Sequence, residues 1–207
     1  MRSLYWVFRF FFQVFYKLFF RYRVLGRENV PREGGVLIAA NHLSYLDPPL
    51  VGAALSRRAT YMAEKGLFFL PLIGTFVASF SFSVDRESPK PSTIKEAVAR
   101  LRRGELVVMF PEGTRRATGD FIDAKRGIAT IASLSRATIV PTLIEGTDRA
   151  LPVGAKFIRP ARVTITFGAP IMKPDHETEK EFQQRIATGI MEEIKRLKRP
   201  DPFHSMK

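Results

Sequence analysis

A chain of 207 residues with 45% hydrophobic content is long enough for one sizeable core. It contains no cysteine, which excludes disulfides, thiolate metal ligands and a cysteine nucleophile, and its three histidines, His42, His176 and His204, show no metal-ligand spacing. A net charge of +13 demands an acidic partner, and eighteen phenylalanines gathered in greasy tracts point to an anionic membrane surface and away from nucleic acid.

Residues 3–22 are predicted to form a helix. Arg9, Gln13, Lys17 and Arg21 recur every four residues and Arg2 projects onto the same side, so the polar groups make one stripe on an otherwise aromatic and aliphatic surface. No acidic residue precedes Glu28. At ~1.5 Å per residue such a helix is roughly 30 Å long, enough to span a bilayer, but a cation near its middle disfavours spanning. The expectation is a helix lying in the headgroup region, Phe side down and Arg side toward anionic phosphate, with a tilted span as its rival. The following FRYRVLGREN offers no small-residue site for signal cleavage.

A short strand at 22–25 and a turn at 32–35 lead to GVLIAA, 35–40, which reads as a buried strand. Directly after it stands Asn41-His42-Leu43-Ser44-Tyr45-Leu46-Asp47. Asp47 is expected to cap a helix that has Pro48 at its first position and continues through LVGAAL. His42 and Asp47 then lie at the two ends of one tight connection. There an aspartate can bond one imidazole nitrogen and leave the other to take a proton from a hydroxyl. The plainer reading of the pair is a helix cap and a surface-loop histidine.

A strand is expected near 61–63. Residues 66–84 carry no charge; Gly66, Pro71 and Gly74 cut the tract into two short helices, and the alternation of Phe80, Phe82 and Val84 with serines makes its end a strand leading into Asp85 and Arg86. Residues 91–103 form an amphipathic helix, capped by Ser92 or Thr93 and closed by Gly104, that buries Ile94, Ala97, Val98 and Leu101. The apolar strand 106–110 runs into Pro111-Glu112-Gly113-Thr114-Arg115. Lys125, Arg126 and Gly127 open a helix to Leu134. In the strand 138–144 Pro141 implies an edge or a bulge. Residues 162–168 are the last strand, and Asp175 or Thr178 caps a final helix to about Leu197.

This alternation predicts an α/β fold: a single domain with a largely parallel or mixed sheet flanked by helices. Residues 1–23 form a basic, Phe-rich membrane-docking helix, 24–197 the domain itself and 198–207 a flexible tail. In such sheets functional groups gather outside the carboxyl ends of strands. His42, Arg86 and the PEGTR loop all fall there.

In that order NHLSYLD at 41–47, VDR at 84–86, FPEGTR at 110–115 and IVPTLIEG at 139–146 resemble the motifs of PlsC-type glycerolipid acyltransferases, chiefly 1-acylglycerol-3-phosphate acyltransferases. The likeness covers about residues 21–170. It implies that residues 24–197 are an acyltransferase domain moving a fatty acyl group from acyl-CoA or acyl-ACP to the sn-2 hydroxyl of a lysophosphatidate-like acceptor, giving phosphatidate. It implies no metal and no organic cofactor, and a peripheral or monotopic place on the cytoplasmic face of the cell membrane. The rival readings are acylation of another lysolipid or of glycerol-3-phosphate, and a non-catalytic peripheral membrane-binding protein.

By resemblance His42 is the general base and Asp47 orients it. Glu112, Gly113, Thr114 and Arg115 match the box that holds the acceptor's glycerol phosphate, Arg86 the basic residue of the second motif, and Pro141 the fourth motif. Lys125 is a further phosphate candidate. The chain departs from the family pattern at Phe80, where many relatives have glycine. Glu112 either contacts the acceptor's free hydroxyl or pairs with Arg115 or Arg86 and organises the loop. The residue chemistry agrees: a histidine with an ordinary pKa of ~6.5 suits deprotonation of an alcohol, and arginine offers bidentate geometry to phosphate.

Overall fold

The protein is described by a computed structural model that covers residues 2–66, 77, 80–84, 91–113 and 127–198. Chain order is α1 (Arg2–Phe19), β1 (Arg23–Leu25), β2 (Val36–Ala40), α2 (Asp47–Ala54), β3 (Ala59–Glu64), β4 (Ser81–Val84), α3 (Pro91–Arg102), β5 (Leu106–Met109), α4 (Gly127–Ser135), β6 (Thr138–Glu145), α5 (Thr147–Ala150), β7 (Thr164–Phe167) and α6 (Glu179–Arg196). The two short helices expected within 66–79 fall largely outside the described residues.

The strands form one mixed sheet in the order β1-β7-β6-β2-β5-β3-β4. Neighbours are parallel except β6 and β7, so β1 and β7 run against the rest. All five residues of β2 are buried. Their alternation divides the core: Val36, Ile38 and Ala40 pack with Tyr16, Phe20, Leu50 and Val51, while Leu37 and Ala39 pack with Leu101, Ile128, Ile131, Phe182 and Ile186. Apolar side chains on both faces of one strand require helices above and below it. Here α1 and α2 cover one face and α3, α4 and α6 the other.

Local expectations change in three places. Thr178, not Asp175, caps α6, through a reciprocal capping box with Glu181. Helix α3 begins at Pro91, so Ser92 and Thr93 lie inside its first turn; Gly104, at φ 81°, closes it as expected. Pro141 is not on an edge, because β6 lies between β7 and β2. Nor does it sit in a bulge of its own strand: from Ile139 to Thr142 the chain advances three residues while its partner advances four, from Phe167 to Ile171, so the extra residue belongs to the partner and Pro141 lies opposite it, in register with Ala39 of β2. The carbonyl of Pro141 still accepts from Gly168 N at 2.7 Å.

The orientation of α1 is the main correction. Its polar stripe was expected to face lipid headgroups, yet Arg9 Nε donates to Leu55 O and Gln13 Nε2 to Ala53 O, both at 2.8 Å. These are carbonyls at the carboxyl end of α2, which has no next turn to bond them. Tyr16, fully buried on the same side, donates to Leu46 O at the other end of α2 at 2.6 Å. The outer face carries Trp6, Val7, Phe10, Phe11, Val14, Leu18 and Phe19, all exposed. Helix α2 supplied acceptors that drew Arg9 and Gln13 inward, while Lys17 and Arg21 remain exposed. Among the described residues no helix is long and apolar enough to cross a membrane.

Candidate active site

β2 ends at Ala40, and residues 41–46 then turn the chain into α2 beyond the carboxyl end of the sheet's central strand. Asn41 fixes the start of this turn. Its side-chain amide donates to Ile144 O at 2.9 Å and its side-chain oxygen accepts from Ile144 N at 2.7 Å, which locks the loop to β6. Ser44 fixes the middle, donating from Oγ to Leu151 O at 2.8 Å while accepting from Leu46 N. A serine so engaged and buried is a strut of the loop.

Asp47 was expected to precede the helix as its cap. It is instead the first helical residue, Leu46 is the N-cap, and Pro48 takes the second position. The reason is where its carboxylate goes. Oδ2 accepts from Leu43 N at 2.6 Å and Ser44 N at 2.7 Å, and pairs with His42 Nδ1 at 2.8 Å. Three donors on one oxygen fold the loop around the aspartate instead of capping α2. The other oxygen, Oδ1, is buried and has no hydrogen-bond partner among the described residues.

His42 is 4% exposed, and its ring stacks on that of Phe110 with centroids 4.2 Å apart. With Nδ1 held by a carboxylate, the neutral imidazole carries its proton there and keeps its lone pair on Nε2. The backbone N–H of His42 donates to Glu112 Oε1 at 3.0 Å. Glu112, 4% exposed, therefore ties the loop after β5 to the loop after β2. Its expected partners Arg115 and Arg86 lie outside the described residues; the His42 amide is a partner that neither expected role named. A turn from Phe110 to Gly113 carries Glu112: Gly113 N donates to Phe110 O at 3.0 Å, and Gly113 sits at φ 71°, a conformation suited to glycine.

His42, Asp47, Glu112 and Gly113 are thus brought together at one end of the sheet. Arg86, Thr114, Arg115 and Lys125 lie outside the described residues. Asn41, Tyr16 and Phe110 were not singled out from sequence. Asn41 was legible as a polar residue closing a buried strand, whereas nothing in the local pattern pairs Tyr16 or Phe110 with this loop.

A family model described as Acyltransferase matches residues 21–145. The chain belongs to that family, and it is an acyltransferase of the PlsC type. Within it, the chain is 34% identical over 179 residues to the 1-acyl-sn-glycerol-3-phosphate acyltransferase of Bacillus subtilis, covering 84% of this chain and 87% of that one. It is 33% identical to the protein of that name from Cocos nucifera, over 68% of this chain and 47% of the coconut protein. The crystal structure of the 1-acyl-sn-glycerophosphate (LPA) acyltransferase, PlsC, from Thermotoga maritima shares the fold, with a TM-score of 0.80 at 24% identity, over 94% of this chain and 78% of that one.

Proposed function

We propose that the chain transfers a fatty acyl group from an acyl thioester, acyl-CoA or acyl-ACP, to the sn-2 hydroxyl of 1-acylglycerol-3-phosphate, giving phosphatidate. The observation that carries this reading is the 2.8 Å pairing of His42 Nδ1 with Asp47 beside the Glu112 turn. His42 Nε2 takes the proton of the acceptor hydroxyl as its oxygen attacks the thioester carbonyl. The tetrahedral intermediate collapses, the carbon–sulfur bond breaks, and His42 returns the proton to the departing thiolate. Asp47 holds the imidazole in the required tautomer and offsets the charge on the imidazolium. The atoms balance without a metal or organic cofactor.

On motif likeness the acceptor's phosphate is assigned to Arg115, Arg86 and Lys125, with Gly113 and Thr114 belonging to the same box as Arg115. Fixed guanidinium groups match phosphate bidentately, and a held phosphate positions the hydroxyl beside His42. Glu112 keeps the two loops in register. The exposed apolar face of α1 supports docking on the cytoplasmic face of the cell membrane from one side, without spanning it.

The test is product analysis by mass spectrometry with a panel of acceptors and both thioester carriers. Phosphatidate formed from lysophosphatidate, and lost in His42→Ala with the circular dichroism spectrum unchanged, is the expected result. Turnover by His42→Ala at the rate of the unsubstituted enzyme removes the base assignment, and preference for another acceptor removes the substrate assignment.

A further inference from the structure

The connection between α5 and β7, residues 151–163, carries LPVGAKFIRPARV. Phe157 is 80% exposed, and Val153 and Ile158 are also exposed, although burying such side chains is ordinarily favourable. Between them and around them stand the exposed cations Arg149, Lys156 and Arg159, and no acidic residue occurs from 149 to 174.

This is a fixed loop. Arg159 N donates to Ala150 O at 2.8 Å and Ala155 N to Pro152 O at 3.0 Å, closing the loop on itself. At its start, Leu151 O accepts from Ser44 of the His42 loop. At its end, Ala161 pairs with Phe20 and accepts from Arg21 N at 3.2 Å, just past the exposed Leu18 and Phe19 of α1. Exposed Tyr45 lies between Ser44, held to this loop, and Leu46, held to α1 by Tyr16.

We infer that residues 153–159 are a second membrane-docking element, inserting Phe157 and Ile158 among the acyl chains while Lys156 and Arg159 meet anionic lipid headgroups. The inference rests on the reading of α1 as the lipid-facing helix and extends that surface past the catalytic loop. Two features favour lipid over an acidic protein: Phe157 and Ile158 are exposed between the cations Lys156 and Arg159, and the loop that carries them is joined at its end to Phe20 and Arg21, the residues that directly follow α1. Interfacial binding combines buried apolar area with attraction of each cation to an anionic surface. Docking at both elements sets the His42 loop, which lies between them, against the layer in which a lysolipid acceptor resides.

Two measurements on the full chain test this. The first is co-sedimentation with vesicles of phosphatidylcholine containing phosphatidylglycerol, for the unsubstituted protein, for the loop variant Phe157→Ser/Ile158→Ser, and for the α1 variant Phe10→Ser/Phe11→Ser/Leu18→Ser. The loop variant should bind about tenfold more weakly. Binding by the loop variant equal to that of the unsubstituted protein overturns the inference while leaving the α1 reading in place. Failure of the unsubstituted protein to bind at all overturns both.

The second measurement places the only tryptophan at the tip, in Trp6→Phe/Phe157→Trp. A blue shift of its emission on adding the vesicles, quenched by brominated acyl chains, is expected. No shift with vesicles overturns the inference, and so does a shift produced only by an acidic carrier protein.

Discussion

Tyr16, on the amino-terminal helix, donates a 2.6 Å hydrogen bond to the carbonyl of Leu46, the residue immediately before Asp47. That carbonyl also accepts the first hydrogen bond of α2, from Leu50 N at 3.0 Å. With Gln13 and Arg9 engaged at the far end of α2, one helix holds both ends of another whose first residue is the aspartate of the His42 pair. Tyr16→Phe removes one bond and leaves the carbonyl its helical partner. It should cost about 0.5–1.5 kcal/mol in urea unfolding and lower kcat while leaving the KM for either substrate unchanged.

Asp47→Asn separates charge from shape. The substituted side chain can keep an oxygen where Oδ2 accepts from Leu43 and Ser44 and place its NH2 where Oδ1 has no partner among the described residues. The fold should survive, with a Tm within a few degrees of the parent, while the imidazolium loses its counter-charge. Turnover should fall on the order of 10²–10⁴-fold, read in a thioester-consumption assay.

Glu112 gives a paired comparison. Glu112→Gln retains an acceptor for the His42 N–H, whereas Glu112→Ala leaves that buried donor unsatisfied, at about 1–3 kcal/mol. The alanine variant should be the less stable and the less active, with the glutamine variant restoring most of the stability. Thermal unfolding and kcat on the two variants check this.

Membrane release should be tested by substitution and not by deletion. Removing α1 would strip Tyr16 from the core, along with the partly buried Phe12 and Phe15 packed against it, and bare α2, so loss of binding would be confounded with unfolding. Exchanging Phe10, Phe11 and Leu18 for serine alters exposed side chains, of which Phe11 also touches the partly buried Phe12 and Phe15. It should release the chain from anionic vesicles at moderate salt with less than about 1 kcal/mol lost in stability.

Alkali should unfold the protein steeply. Burial pushes the Tyr16 and Tyr61 hydroxyls well above the usual tyrosine range, the nearby Asp47 charge adding to the shift at Tyr16, and burial takes Tyr22 up to about 12. Folded pKa values above the unfolded value mean that the native state holds more protons between them. Stability is therefore full below pH ~10 and falls as pH rises from there through the folded pKa, by about 1.4 kcal/mol per pH unit for each group. Tyr22→Phe should flatten the decline between pH 10 and 12 by one group's worth, as followed by denaturant melts across that range.

The sheet was legible in the sequence because buried strands announce themselves: GVLIAA, LVVMF and TIVPTLI are apolar runs too short for helices and bounded by breakers. The His42 and Glu112 loops were legible because polar residues cluster where those runs stop. What a helical wheel could not give was which face of α1 looks inward. Periodicity groups Arg9, Gln13 and Lys17, but the carbonyls that attract the first two belong to residues 40 or more positions away. The same limit hid the aspartate's true place, since its ligands are backbone amides of the preceding loop, to which side-chain patterns are blind. Arg86, Thr114, Arg115 and Lys125 rest on motif likeness alone.

The bonds from Arg9, Gln13 and Tyr16 reach 46, 40 and 30 residues downstream. A ribosome delivers the amino-terminal helix well before those acceptors are made. Until translation has passed Leu55, both sides of that helix are uncommitted. The inward face of that helix can therefore be fixed only after the chain through Leu55 exists, which makes its docking a non-local step of folding.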